Sequence, residues 1–211
     1  MYESRGFLVA TNREPMATAV CAPIMQRVLR TLPRRTALYI DSSASVDQTN
    51  SSLTFVLAPT KAGAVPVGMI IHDSQSEASY TTGFKLLRQL WQQIDSDPDI
   101  ENFMTDDSSA MRNALEIVFP GVRQLLCQFH VSQALWRWLF DSKNGIAKDD
   151  RQFLMDAFKK IMYAISEHDA EKQYQTLMSS DVASKYANFK RHLSNIFEQL
   201  VAAKFKDQVD H

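Results

Sequence analysis

The chain has 211 residues, 45% hydrophobic and 22% charged; 23 Lys and Arg against 24 Asp and Glu leave a formal net charge of −1. This is the composition of an ordinary globular protein of one large domain, or of one domain carrying an insertion. It excludes an overall polybasic surface, so any nucleic-acid contact must come from a local patch. Two cysteines, Cys21 and Cys127, argue against a disulfide framework and for a reducing compartment. No apolar run reaches the roughly 18 residues of a membrane span. The start, Met-Tyr-Glu-Ser-Arg-Gly, lacks the apolar stretch of a signal peptide. An intracellular protein without membrane contact is expected.

In chain order, residues 1–36 form a mixed lead-in. Phe7-Leu-Val-Ala reads as a strand arriving from upstream. Met25, Val28, Leu29 and Leu32 have a short helical spacing that ends at the solvated connection Pro33-Arg34-Arg35. Ala37-Leu-Tyr-Ile-Asp41 is a short apolar run ending in an acid. The β-branched and aromatic run Leu53–Ala58 and the run Val65–Ile71 predict two further strands, with turn chemistry over Thr60–Ala64 between them. Pro66 near a strand start is tolerated. Short connections predict an antiparallel meander with Asp41 at the end of its first strand.

Ser74-Gln-Ser-Glu77 has the form of a capping box. Behind it Tyr80, Phe84, Leu87, Leu90, Trp91 and Ile94 recur at helical spacing, and Asp95-Ser-Asp-Pro-Asp closes the helix. Glu101–Thr105 predicts the fourth strand. Ser108 is placed to cap a helix with the stripe Ala110, Met111, Ala114, Leu115, Val118 and Phe119, which stops at Pro120-Gly121. Val122–Leu126 predicts the fifth strand. From Val131 on, Ala134, Leu135, Trp138 and Leu139 keep helical spacing. Past Asn144-Gly145 only helical stripes remain, over 153–165, 174–177 and 189–201.

Three strands, a helix, a strand and a helix, with an Asp ending the first strand and another the fourth, form the pattern of the RNase H-like nucleotidyl-transfer fold. In that arrangement the first and fourth strands are neighbours and their terminal carboxylates converge. Hard Mg²⁺ or Mn²⁺ prefers such oxygens, and paired ions serve phosphodiester chemistry by activating the attacking oxygen and stabilising the leaving one. Two acids hold such ions poorly, so a third is expected.

Tyr39-Ile-Asp41-Ser-Ser, Ala62-Gly-Ala-Val-Pro-Val-Gly68, Ser76-Glu-Ala-Ser-Tyr80, Met104-Thr-Asp106-Asp, Val118-Phe-Pro120 and Leu126-Cys-Gln-Phe-His130 follow in order. This series resembles the transposase core of Mutator-like elements, the MULE family, over residues 37–140. The resemblance implies an α/β class with an RNase H-like five-stranded mixed sheet flanked by helices, followed by an all-helical segment over 141–211 like the start of the family's helical insertion. It makes Asp41 and Asp106 the catalytic and metal-binding acids, and Cys127 and His130 the family's Cys-x-x-His. It implies Mg²⁺ or Mn²⁺ as cofactor, transposon-end DNA as partner and a nuclear location; a homo-oligomer is one option that the sequence leaves open. Two departures stand out. Ser43 replaces the family's Thr two residues after the first acid, and no Thr-Asn-Asn-x-x-Glu motif supplies the third. Glu198, in Asn195-Ile-Phe-Glu198, is the nearest candidate for that acid. A truncated chain, inactive alone, is therefore expected, and a domesticated DNA- or protein-binding module with the same fold is the alternative.

The remaining candidates have plainer readings. Glu77 serves as a capping acid, and Asp107 favours the helix N-terminus behind it. Alternation along a strand lets only one of Asp106 and Asp107 face a metal. Asp47 and Asp73 read as loop residues. Glu167 and Glu171 have no more motif context than Glu198. Cys127 and His130 supply half of a four-ligand zinc site, so zinc is not expected. Trp138 is expected in a core and Trp136 on a surface. Lys159-Lys160 and Lys185, Lys190 and Arg191 read as solvated helix faces.

Overall fold

Period-two alternation runs through the first half of the chain and builds one sheet. The computed structural model describes residues 5–61, 63–94 and 98–205. Its strands are β1 (Leu8–Arg13), β2 (Met16–Cys21), β3 (Thr36–Ser43), β4 (Ser52–Thr60), β5 (Gly63–His72), β6 (Ile100–Thr105) and β7 (Arg123–Leu126). They lie in the order β1-β2-β5-β4-β3-β6-β7. The meander β3-β4-β5 is antiparallel, as expected, and β6 joins β3 in parallel. The sheet is mixed but has seven strands, not the five expected. The two extra strands form a hairpin, β1-β2, that extends the sheet antiparallel beyond β5.

Strand β1 begins where Phe7-Leu-Val-Ala reads as a strand, but β2 escapes a search for bulky strand formers. Ala17, Ala19 and Cys21 of β2 are fully buried while Thr18 and Val20 between them are half-buried. The alternation is regular, but its inward residues are small.

Helix α1 (Pro23–Leu29) buries Met25 and Leu29. The long helix α2 (Glu77–Gln93) buries Tyr80, Phe84, Leu87, Leu90 and Trp91, and α3 (Ser109–Val118) buries Met111, Ala114, Leu115 and Val118. These stripes share one core with Leu38, Ile40, Val56, Ile70 and Phe103 of the sheet. Each buried aliphatic or aromatic side chain contributes about 1.5–3 kcal/mol by leaving water. Ser108 caps α3 as expected, accepting from the Met111 N–H at 3.3 Å. The cap of α2 differs from the expected one. It is Ser76, which accepts from the Ser79 N–H at 3.2 Å, while the Ser74 carbonyl is engaged by His72.

A β-bulge interrupts the β4–β5 register. Val56 faces Gly68, Leu57 faces Pro66, and Val67 is the extra residue. Its carbonyl is taken by the Trp91 indole N–H at 3.1 Å and the Cys21 thiol at 3.8 Å. Helix α2 thus satisfies the backbone group that the bulge leaves unpaired.

The chain divides between Leu125 and Leu126 into two compact units. The second is all helical. It comprises α4 (Gln128–Phe140), a 3₁₀ turn at Ser142–Asn144, α5 (Lys148–Met162), α6 (Glu167–Met178), the short α7 (Asp181–Ser184) and α8 (Ala187–Lys204). Its own core joins Leu135, Leu139, Leu154, Phe158, Phe189 and Leu193. Helix α4 begins three residues before the expected Val131. Trp136 is 41% exposed, whereas Trp138 is half-buried and stacks on His192 with centroids 4.6 Å apart. Lys185 pairs with Asp150 at 3.1 Å. Parts of the predicted turn (Ala62) and helix stop (Asp95-Ser-Asp) lie outside the described residues, as do Met1–Ser4 and 206–211. Among the described residues no helix is long and apolar enough to cross a membrane.

Candidate functional site

Strands β3 and β6 run side by side and parallel, with Leu38 opposite Phe103 and Tyr39 opposite Met104. Continuing that register by two residues puts Asp41 level with Asp106, at the C-terminal ends of both strands. Alternation sets the side. Leu38, Ile40, Phe103 and Thr105 point into the core, so Tyr39, Asp41, Met104 and Asp106 share the opposite, less buried face. Asp41 is exposed and Asp106 half-buried. One Asp106 carboxylate oxygen accepts from the Ser108 N–H at 3.1 Å, which turns the chain from β6 into α3.

Asp107 is exposed and faces Arg112 at 3.4 Å. Glu77 sits at the first position of α2 and accepts from the Asn113 side chain at 2.8 Å, joining α2 to α3. Both residues thus have structural partners. Asp47 organises its own loop, accepting from the Thr49 and Ser51 N–H groups; the Ser51 bond comes first among the causes that hold its carboxyl below the usual range. Asp73 accepts from the Ser79 hydroxyl at 2.6 Å and is held low mainly by that bond.

A buried polar row crosses the sheet beside the Asp41–Asp106 level. Ser42 of β3 lies within 2.7 Å of Thr54 of β4, Thr54 lies within 2.8 Å of His72 Nε2 of β5, and His72 Nδ1 meets the Ser74 carbonyl. Thr54 and His72 are fully buried. Tyr80 of α2 packs against this row. Its ring lies 4.9 Å from the His72 ring and stacks on Phe84 at 6.0 Å. Burial raises the Tyr80 phenol above its usual value, partly offset by the nearby Ser42 hydroxyl, and the negative charges of Asp106 and Asp41 act in the same sense as burial. Burial also holds the His72 imidazole below its usual value. No motif identified this row in the sequence; the one available signal was the polar residues Ser42, Thr54 and His72 at inward positions of three successive strands.

In the second unit, Cys127 is the N-terminal cap residue of α4 and His130 lies in its first turn, both half-buried. His130 sets its ring edge-on to exposed Phe129, with centroids 5.5 Å apart. Glu198 is exposed on α8, and Glu167 and Glu171 are exposed on α6. Among the described residues no three His, Cys, Asp or Glu side chains form a group able to hold a metal. Both cysteines are free thiols. Burial pushes Cys21 up to about 11 against a smaller opposing pull from Arg30, so its thiol stays protonated and unreactive.

Residues 47–134 match the family model of the MULE transposase domain, which bears out the resemblance carried by the ordered motifs. The matched range contains Asp106, Cys127 and His130 and begins six residues after Asp41. No curated protein matches the chain.

Proposed function

From the MULE transposase domain match over residues 47–134, we propose that this chain is a MULE-type transposase core with an RNase H-like sheet, descended from enzymes that cleave and transfer DNA strands in the nucleus. The observation that carries the reading is the parallel pairing of β3 with β6, whose register, continued two residues beyond Tyr39 and Met104, brings Asp41 and Asp106 level on one face. The strand order β5-β4-β3-β6-β7 supports it, because the antiparallel meander brings its first strand to the centre, beside β6. The hairpin β1-β2 is an addition at the β5 edge and leaves that centre unaltered.

The two carboxylates offer the hard oxygen donors that Mg²⁺ or Mn²⁺ takes, on the less buried face of the sheet. In this reading Asp41 and Asp106 hold the ion. A bound divalent ion would supply charge neutralisation and a polarised water for attack on a DNA phosphodiester at a transposon end. The protein's part is to orient two carboxylates from two rigid strands. Cys127 and His130, only two of the four ligands a structural zinc takes, have no zinc role in the proposal.

With no third acid grouped beside the two aspartates among the described residues, the 211-residue chain alone is expected not to cut DNA. The same observation favours a second reading: a domesticated, non-catalytic DNA- or protein-binding module that retains the fold. Two measurements separate the ideas. Millimolar Mn²⁺ should raise the melting temperature, as any ligand of the native state does, and Asp41→Ala or Asp106→Ala should abolish the rise. No rise in the parent protein rejects the metal-site reading. Strand cleavage by the purified chain with Mn²⁺, lost in Asp41→Ala, would overturn the expectation of inactivity.

A further inference from the structure

Helix α4 has two apolar sides. Leu135 and Leu139 enter the core of the second unit. Phe129, Trp136 and Phe140 stay outside it, at 65%, 41% and 45% exposure. With Gln133 they follow the spacing i, i+4, i+7, i+11, so the four lie on one stripe of the helix, about 17 Å long. Alternating steps of four and three residues are the pattern by which one helix packs along another. Helix α5 runs antiparallel beside this stripe: the Gln128 amide reaches the Met162 carbonyl at 3.4 Å, and Arg151 lies over the Phe140 ring at 4.5 Å. Gln152, Met155 and Lys159 of α5 face Phe129, Gln133 and Trp136 across a shallow groove.

The rings are already held in place. Trp136 and Phe140 have centroids 4.3 Å apart, Arg151 covers Phe140, and Phe129 meets the His130 ring at 5.5 Å. Side chains fixed in this way lose little freedom on binding. At about 200 Å² for a whole aromatic side chain, the exposed fractions leave about 300 Å² of aromatic surface, the size of a functional patch on a monomer. Set against an equal patch it buries about 600 Å², and the polar rim of the groove brings the total to about 1,000 Å², the low end of specific interfaces. The rim carries both signs of charge. Lys159 stands 3.8 Å from Asp156, and Arg151 is engaged on the Ile146 carbonyl at 3.0 Å. Such a rim does not select a polyanion.

We propose that the stripe Phe129, Gln133, Trp136 and Phe140 is a self-association surface, on which two copies of this chain pair α4 against α4, in parallel, about a two-fold axis. A like stripe answers each feature of this one. Aromatic faces meet aromatic faces, and Gln133 meets Gln133 of the second copy, where each amide can donate one hydrogen bond and accept one. An antiparallel pairing would set Gln133 against Trp136 and leave the amide oxygen without a donor. A single polar residue in an apolar seam fixes register in this way. The inference is independent of the metal-site reading.

Sedimentation equilibrium of the full chain tests this. The parent should pass from monomer to dimer with a Kd of about 10–100 μM, as an interface at the low end of the size range implies. Phe129→Glu and Phe140→Glu each put a charge into the seam and should raise that Kd about tenfold or more. Both side chains are exposed, so circular dichroism and melting temperature, read on the monomer, should stay at the parent values. Gln133→Cys, made together with Cys127→Ala so that buried Cys21 is the only other thiol, should give a disulfide-linked dimer on mild oxidation. A parent that stays monomeric up to about 1 mM, or a dimer that both Glu variants leave intact, overturns the inference. A dimer weakened by the Glu variants but not cross-linked through position 133 overturns the parallel pairing. Labelled single-stranded DNA bound by the monomeric parent and released by Phe129→Glu would give the stripe to nucleic acid and also overturns it. If Phe140→Glu does not fold, Phe129→Glu and the cross-link decide.

Discussion

Gly68 is the closing residue of one of the ordered motifs, and packing accounts for it. A Cβ placed there would meet Leu87 Cδ1 at 2.5 Å, Cδ2 at 2.7 Å and Cγ at 3.1 Å. Both residues are buried, and Leu87 is 0% exposed under the β5 bulge. Overpacking of this kind costs about 1–3 kcal/mol. A Gly→Ala change recovers about 0.4–1 kcal/mol by stiffening the unfolded chain, which leaves Gly68→Ala a net loss of up to about 2.6 kcal/mol. Leu87→Ala opens a cavity and costs about 2–5 kcal/mol. In the double variant the added methyl enters the space that Leu87 vacates. Its loss should fall short of the sum of the single losses by at least about 1 kcal/mol, within the range of coupling between touching residues. Urea unfolding of the four proteins, followed by tryptophan fluorescence with a common slope, gives the cycle. Additivity within about 0.5 kcal/mol would refute the close approach of β5 and α2.

Two more predictions follow from buried groups. Trp91→Phe deprives the Val67 carbonyl of its 3.1 Å donor and leaves only the weak Cys21 thiol; urea unfolding should show a loss of about 1–3 kcal/mol from the unsatisfied carbonyl, before any cavity cost, and an unchanged midpoint would show that the bulge finds another partner. His72 and His192 both have imidazoles lowered by burial. The unfolded chain therefore takes up protons first as pH falls through about 6.5, so stability should decline from there downwards, by at most about 1.4 kcal/mol per pH unit for each ring. The carboxylates held low at Asp47, Asp73 and Asp150 lose their contribution only in a lower window, as pH falls through and below their ordinary value of 3.8. A urea midpoint that stays level or rises from pH 7 to pH 5 contradicts the burial of the two rings.

Much of the fold was legible because local chemistry and tertiary burial agree in it. The stripe from Tyr80 to Trp91, the Ser108 cap and the stripe from Met111 to Val118 lie where spacing put them. Strand β1 overlaps the strand read at Phe7-Leu-Val-Ala, but β2 was missed for a physical reason. Its core-facing residues, Ala17, Ala19 and Cys21, are small, and small residues carry little strand propensity. The cap of α2 was misplaced by two residues: the Ser74 carbonyl is engaged by His72 just before it, and Ser76 takes the cap. Sulfur and nitrogen at Cys127 and His130 were visible as a spacing, and that spacing opens α4.

The sequence by itself determined which residues alternate, which recur at helical spacing and in what order the motifs run, because these depend on near neighbours along the chain. That was enough for the class of fold and for the family resemblance. Only the tertiary structure decided that β3 and β6 are neighbours in a register that sets Asp41 level with Asp106. Only it decided that Ser42, Thr54 and His72, thirty positions apart at their extremes, form one hydrogen-bonded row. Such pairings join segments far apart in sequence, and their stability comes from burial and hydrogen bonding that exist only once the sheet has closed.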